Sequence, residues 1–227
     1  MSVVKKIIGH AFLFSAINLS VIGVSRQEAF FSLLSTIYPY DEINHRYNLV
    51  LFALNICIGL IFVSSIIKNA DEQMLMNNYI LVRTSRKKAF LIGILRNLKT
   101  ISLVFFIKIF IDLLFSQINK TENLSIAVWT EVSTFLTLLI WALFIYIMLQ
   151  KHISVKWTYF ILLFSMIIFQ YFSAYVSFFT LFVFGSPYIK ASPMRWLMLK
   201  FVLIIILFFV NIIISTKYEQ LNIKNEC

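Results

Sequence analysis

Lys108 and Asp112 are charged residues of opposite sign, four apart, inside the apolar run 98–118. A spacing of four places both side chains on one face of a helix, where they can neutralise each other. Either one alone would cost about 2.5–3.5 kcal/mol at the centre of a bilayer. Two readings follow: a polar point on a translocation path or proton relay, or an ion pair turned into a helix bundle to fix its packing. The second is favoured, because pairing is how such charges are ordinarily tolerated. Lys200 lies near the outer end of the last apolar run and is expected to snorkel. The single amides Asn55, Gln170 and Asn211 are expected to join helices rather than to bind substrate.

Catalytic chemistry finds little to stand on. The chain contains no His-Glu-x-x-His, no Gly-x-Ser-x-Gly and no Gly-x-x-x-x-Gly-Lys, the patterns that would hold zinc, expose a serine nucleophile or cradle phosphates. His10, His45 and His152 fall on different segments and form no ligand set. A cysteine nucleophile needs a histidine beside it, yet Cys57 lies within an apolar run and His45 beyond its end. Cys227 is the last residue, so the two cysteines suggest no disulfide framework. The sequence therefore indicates no catalytic, cofactor or metal site, and the chain is not expected to be an enzyme by itself.

What must position these residues is set by composition. Of 227 residues, 60% are apolar, 17% aromatic and 13% charged, with 24 Phe but 5 Gly and 3 Pro. Soluble domains are about 45–50% apolar and about 25% charged, so an ordinary soluble fold is excluded, as are a disordered chain and a disulfide scaffold. The apolar runs are long and unbroken rather than short and alternating, which excludes a transmembrane β-barrel. The fold class is all-α: a polytopic integral membrane protein of about six transmembrane helices, forming a single domain over 1–227. Its spans are expected at about 7–24, 48–67, 98–118, 132–150, 157–178 and 197–216, each near the length a helix needs to cross a bilayer. The run 7–24 shows no clear cleavage site and is expected to be retained, although His10, Ser15 and Asn18 make it the least apolar.

Basic residues orient the chain. With the N-terminus inside, the inner segments hold Lys5, Lys6, Lys68, Arg83, Arg86, Lys87, Lys88, Arg96, Lys99, Lys151, Lys156, Lys217 and Lys224, which is 13 of the 20. The outer segments hold Arg26, Arg46, Lys120, Lys190 and Arg195. The positive-inside bias thus places both termini in the cytoplasm, and the net charge of +10 reflects topology rather than nucleic-acid binding.

The segment 69–96 between spans two and three is the most organised polar stretch. Asn69 has the character of an N-cap, with Asp71 and Glu72 in the first turn and Asn69-x-x-Glu72 at capping-box spacing. An amphipathic helix through Met74, Leu75, Tyr79 and Val82 is expected there. It is broken by Arg83-Thr84-Ser85-Arg86-Lys87-Lys88, and Thr84 or Ser85 caps a second helix towards span three. A basic turn alone would serve as an anchor to anionic head groups; a capped helix before it points to docking of a cytoplasmic subunit.

Six spans, cytoplasmic termini, Asp71-Glu72 and the run from Tyr79 to Lys88 resemble the small type-2 permeases of bacterial ATP-binding-cassette exporters, of the kind linked to bacteriocin or peptide export and immunity. The resemblance implies a coupling helix over 71–83 that sits on an ATPase, with Asp71, Glu72, Tyr79, Arg83, Arg86, Lys87 and Lys88 as coupling residues. It also implies short re-entrant helices at 177–184 and 188–196 on the outer side, hinged at Gly185 and Pro187 as a gate. The partners implied are a cytoplasmic ATPase, which holds the ATP and Mg this chain lacks, a second permease chain of the same or related sequence, and the lipid of a bacterial plasma membrane. The chain departs from the family in offering only 1–6 before its first span, where members usually have a longer amphipathic helix. Two alternatives remain: a membrane accessory or immunity protein that does not transport, and the substrate-binding subunit of a vitamin importer.

Overall fold

The computed structural model describes residues 3–24, 40–41, 46–80, 86–119, 124–151, 153–184 and 192–225. Its elements in chain order are α1 (Val3–Val24), a two-stranded ribbon of β1 (Tyr40–Asp41) and β2 (Arg46–Tyr47), α2 (Leu49–Ile80), α3 (Arg86–Asn119), α4 (Leu124–Gln150), α5 (Val155–Phe172), a 3-10 turn (Ser177–Phe182) and α6 (Pro193–Asn225). The ribbon pairs Tyr40 with Tyr47 and Asp41 with Arg46.

Side-chain pairs fix the directions of the helices. His10 meets Ser65 at 3.4 Å and Phe14 packs on Phe62, so residue numbers fall on α2 as they rise on α1. Phe62–Phe105 joins α2 to α3, Phe105–Phe135 joins α3 to α4, and Phe90–Phe208 joins α3 to α6, each consistent with antiparallel neighbours. Lys200 reaches Ser133 and Asn211 reaches Leu143, which makes α4 and α6 parallel. Among the described residues, the result is an up-and-down bundle of six helices. We call the end with the 80–86 and 150–155 connections the base, and the end with the ribbon and the 3-10 turn the crown.

α4 is the hub. It packs most extensively on α6 and also touches α2, α3, α5 and the 3-10 turn. Its apolar stretch is 61% buried, against 22% in α5 and in α6. One hydrophobic cluster runs through the bundle, from Phe14, Phe62 and Ile101 through Leu138, Trp141 and Leu162 to Phe182 and Leu207. The outer surface is apolar too: Phe106, Phe110, Phe160, Phe164, Phe201 and Phe209 are exposed. A continuous surface of this kind suits hydrocarbon and not water.

Among the described residues, four helices are long and apolar enough to cross a membrane, with apolar stretches at Phe90–Asp112, Val128–Gln150, Val155–Phe172 and Pro193–Thr216. Ile7–Leu19 and Phe52–Lys68 are shorter, in the range of 10–17 residues. The expectation of about six transmembrane helices is corrected to about four. The first stretch carries buried Asn18 and half-buried His10, and the second ends at Lys68.

Three local expectations also change. No helix starts at Asn69: α2 runs unbroken for 32 residues, since 60–92 contains neither Gly nor Pro and an amide inside a continuing helix already has its backbone N–H bonded. The fifth helix ends at Phe172, where the Ser173 hydroxyl donates to Gln170 O (2.7 Å), and not at 178. Trp196 belongs to α6 rather than to a short helix at 188–196, because Pro193 starts α6 and proline suits the first turn of a helix.

Candidate functional site

The site lies in the crown half of the bundle, around the first half of α4. Lys108 on α3 donates to Asp112 Oδ2 and to Glu131 Oε1 on α4, both at 2.6 Å. Asn18 on α1 donates from Nδ2 to Asp112 Oδ1 (2.8 Å) and to the carbonyl of Phe14 one turn earlier (3.0 Å). Three helices are thereby tied through one buried cluster: Asn18, Lys108, Asp112 and Glu131 are each at most 7% exposed. Such short charge-assisted bonds are the strong kind, but they offset desolvation of three ions rather than add free stability. Counted formally, the cluster has one cation and two carboxylates. Glu131 Oε2 has no hydrogen-bond partner among the described residues.

Across α4 lies a second buried cation. Lys200 on α6 is 1% exposed. Its ammonium donates to Ser133 Oγ (2.7 Å), Thr137 Oγ1 (2.6 Å) and Ser133 O (3.3 Å), all on α4. The expected snorkelling does not occur. Neutral oxygens on the neighbouring helix supply three acceptors in the interior, so the side chain has no need of the membrane surface. Lys200 has no salt bridge among the described residues.

The chain between α5 and α6 descends onto this site. After the 3-10 turn, Trp141 donates from Nε1 to the carbonyl of Phe182 (3.0 Å), and the Thr137 hydroxyl donates to Ser133 O (2.9 Å) and reaches the Val183 carbonyl at 3.4 Å. Phe184 then packs against Gly59 on α2; a Cβ at 59 would stand 2.8 Å from its ring and 3.0 Å from Met166 Sδ. Gly59 is ten residues into α2, so Phe184 reaches about 15 Å below the start of that helix. Thr180 through Phe184 are all buried, and Phe169 stacks on Phe179 and packs at a tilt against Phe182.

The other sequence-derived positions distribute differently. Asp71, Glu72 and Tyr79 fall on the last third of α2, and Arg86, Lys87 and exposed Lys88 open α3. Arg83, Gly185, Pro187, His45, His152 and Cys227 lie outside the described residues. Asn211 bridges helices, donating to Leu143 O (3.2 Å) and to Leu207 O in its own helix (2.8 Å). Gln170 is buried with no partner for Nε2 among the described residues.

Sequence reasoning missed Glu131, Ser133, Thr137, Trp141 and Gly59. For Glu131 there was a signal: the apolar stretch starts at Val128, so an acid at 131 lies within it rather than just before a span at 132. The helices, their apolar outer surface and the buried ionic cluster define an α-helical polytopic membrane protein. No protein-family model, curated protein or solved structure matches the chain.

Proposed function

We propose that the chain is the permease subunit of an ATP-driven exporter in a bacterial plasma membrane, moving a hydrophobic or peptide cargo. The observation that carries this reading is the continuity of α3. One unbroken helix of 34 residues opens with Arg86, Lys87 and Lys88 at the base and carries Lys108 and Asp112 in the crown half. Twenty residues at 1.5 Å each separate Lys88 from Lys108, so force applied at the base travels about 30 Å along a rod into the buried ionic cluster. α2, also unbroken, runs back from the same turn to Gly59 and the segment at 177–184.

In this reading the base faces the cytoplasm, where the excess of Lys and Arg belongs. A separate ATPase with its ATP and Mg docks on the α2–α3 turn, and two permease chains complete the unit. Closure of the ATPase pair tilts α2 and α3 together. The crown segment at 177–184, wedged between α2, α4 and α5, is the element that such a tilt would release, and it acts as the outer gate of an alternating-access cycle.

The test is purification of the tagged full chain from its native membrane in mild detergent, with mass spectrometry of what accompanies it. A stoichiometric ATPase with a phosphate-binding loop is expected, and it should be lost in the triple variant R86E/K87E/K88E while membrane insertion stays normal. Recovery of this chain alone, repeated after cross-linking, would overturn the reading in favour of an accessory or immunity protein.

A further inference from the structure

Four side chains of the Lys, Arg, Asp and Glu types are buried among the described residues: Lys108, Asp112, Glu131 and Lys200. Two are cations and two are carboxylates. Three of them form the cluster between α3 and α4, which carries one formal negative charge in excess, and the fourth is a lysine with only neutral oxygens around it. The excess on one side of α4 matches the deficit on the other.

The geometry brings the two sides close. Glu131 faces α3, whereas Ser133 and Thr137 face α6, as their partners show. Glu131 and Ser133 are two residues apart, about 200° around the helix and about 3 Å along it. The charges thus stand at nearly the same depth, separated by about one helix diameter, roughly 10 Å. Buried between helices, charges at that separation are screened less than they would be in water. Neither charge has another described ion to answer it.

We propose that Lys200 is the charge partner, across α4, of the Lys108–Asp112–Glu131 cluster, and that the four work as one neutral set that positions the crown segment. Neutrality is what allows an unpaired ammonium to stay inside the bundle. Being held there, Lys200 saturates Ser133 and Thr137 and fixes the rotamer of Thr137, whose hydroxyl reaches the Val183 carbonyl. Lys200 is therefore a positioning residue acting through Thr137, and the charge of Glu131 is what retains it.

The experiment is a neutralisation series in the full chain, purified in mild detergent, with thermal unfolding and hydrogen exchange over 177–184 as readouts. K200M leaves the set with a net negative charge and E131Q with a net positive one; the double variant is neutral again. Each single change is expected to lower the unfolding midpoint, and K200M/E131Q to recover about 6 °C relative to the sum of the two, the size of a strong coupling between neighbouring sites in a chain of this length. D112N should rescue K200M as well, because it also restores neutrality, whereas the charge-preserving E131D should not. K200R keeps the charge and should stay near the parent.

If K200M alone does not fold, recovery of folded protein in the double variant gives the same answer. Strictly additive losses, or rescue by E131D, would overturn the charge partnership. The positioning role is read on the neutral double variant, which is stable but lacks the ammonium against Thr137. Exchange at 177–184 should there be about tenfold faster than in the parent, since locally freed segments open at lower free energy. Unchanged exchange in that segment would overturn the positioning role.

Discussion

The two halves of α4 each bury a face in the bundle and are held by different physics. Towards the base, Leu138, Ile140, Leu143, Ile145 and Leu149 fill volume against α2, α3 and α6, and the polar contacts are uncharged: the Asn97 amide of α3 donates to the Tyr146 hydroxyl, and the amide of Asn211 donates to Leu143 O. Towards the crown, Thr130, Glu131, Ser133, Thr134 and Thr137 occupy equivalent depths, and specific polar partners replace volume. Lipid tails are as apolar as leucine, so the base half gains little from burying leucine and is held by close packing. The crown half is costly to assemble and costly to break. A fold that needed only stability would have used the base solution throughout, because well-packed apolar residues generally match or exceed buried ion pairs. Under the proposed alternating-access cycle, the crown half is where the change of state would be built in.

Removing one ion from the crown should expose this contrast most strongly. Lys108→Met keeps nearly the same shape but strands Asp112 and Glu131 together, and the expected loss is about 4 kcal/mol, the range for breaking a buried pair from one side. Ile145→Ala in the base half deletes three carbon atoms from a fully buried site and should cost about 3 kcal/mol through its cavity. Both are measurable as unfolding midpoints of the purified chain. If Ile145→Ala proved the more damaging, the crown ions would be solvated by something other than one another and the contrast would fail.

Gly59 sharpens the comparison at the seam between the halves. The Phe184 ring lies where a side chain would begin, only 2.8 Å from a Cβ. Gly59→Val should cost about 2 kcal/mol, the usual penalty for overpacking, and should move the strain into 177–184, because that segment is the partner able to retreat. Faster hydrogen exchange confined to 177–184 is the expected signature. Destabilisation spread evenly over α2 and α5 would mean that the crown segment is as rigid as the core.

How much of this was legible in the sequence differs by scale. The apolar runs place the cores of the long helices, since hydrocarbon length and period leave few options, but not their ends: α3 begins at Arg86 rather than near 98, α4 at Leu124 rather than near 132, and α2 continues to Ile80 rather than stopping near 67. The i, i+4 spacing of Lys108 and Asp112 was enough to place them on one face. Glu131 was not legible as their partner, because it is 19 positions beyond Asp112 and meets Lys108 only through the antiparallel register of α3 and α4. Lys200 misled for a related reason: a lysine near a span end usually snorkels, and only the hydroxyls of another helix give it a better option. At Asn69 the local capping signals were present but had nothing to cap, since no residue before it stops α2.

The smallest expected effect tests how much the base half owes to Asn211. Asn211 joins α6 to α4 through one bond to Leu143 O, while its other bond returns to its own helix and its Oδ1 has no partner among the described residues. Asn211→Leu removes the interhelical bond together with the unsatisfied oxygen. Interhelical hydrogen bonds in membranes average about 0.6 kcal/mol, so the net change should be a loss of about 0.5 kcal/mol or less, near the resolution of an unfolding midpoint. A loss of several kcal/mol would show that α4 and α6 are fastened at the base by Asn211, and the division of α4 into a packed half and a polar half would have to be redrawn with a second polar anchor. A small loss leaves Asn97 on Tyr146 as the base half's other interhelical polar bond and keeps the charged contacts of the bundle in the crown half, beside Lys108, Glu131 and Lys200.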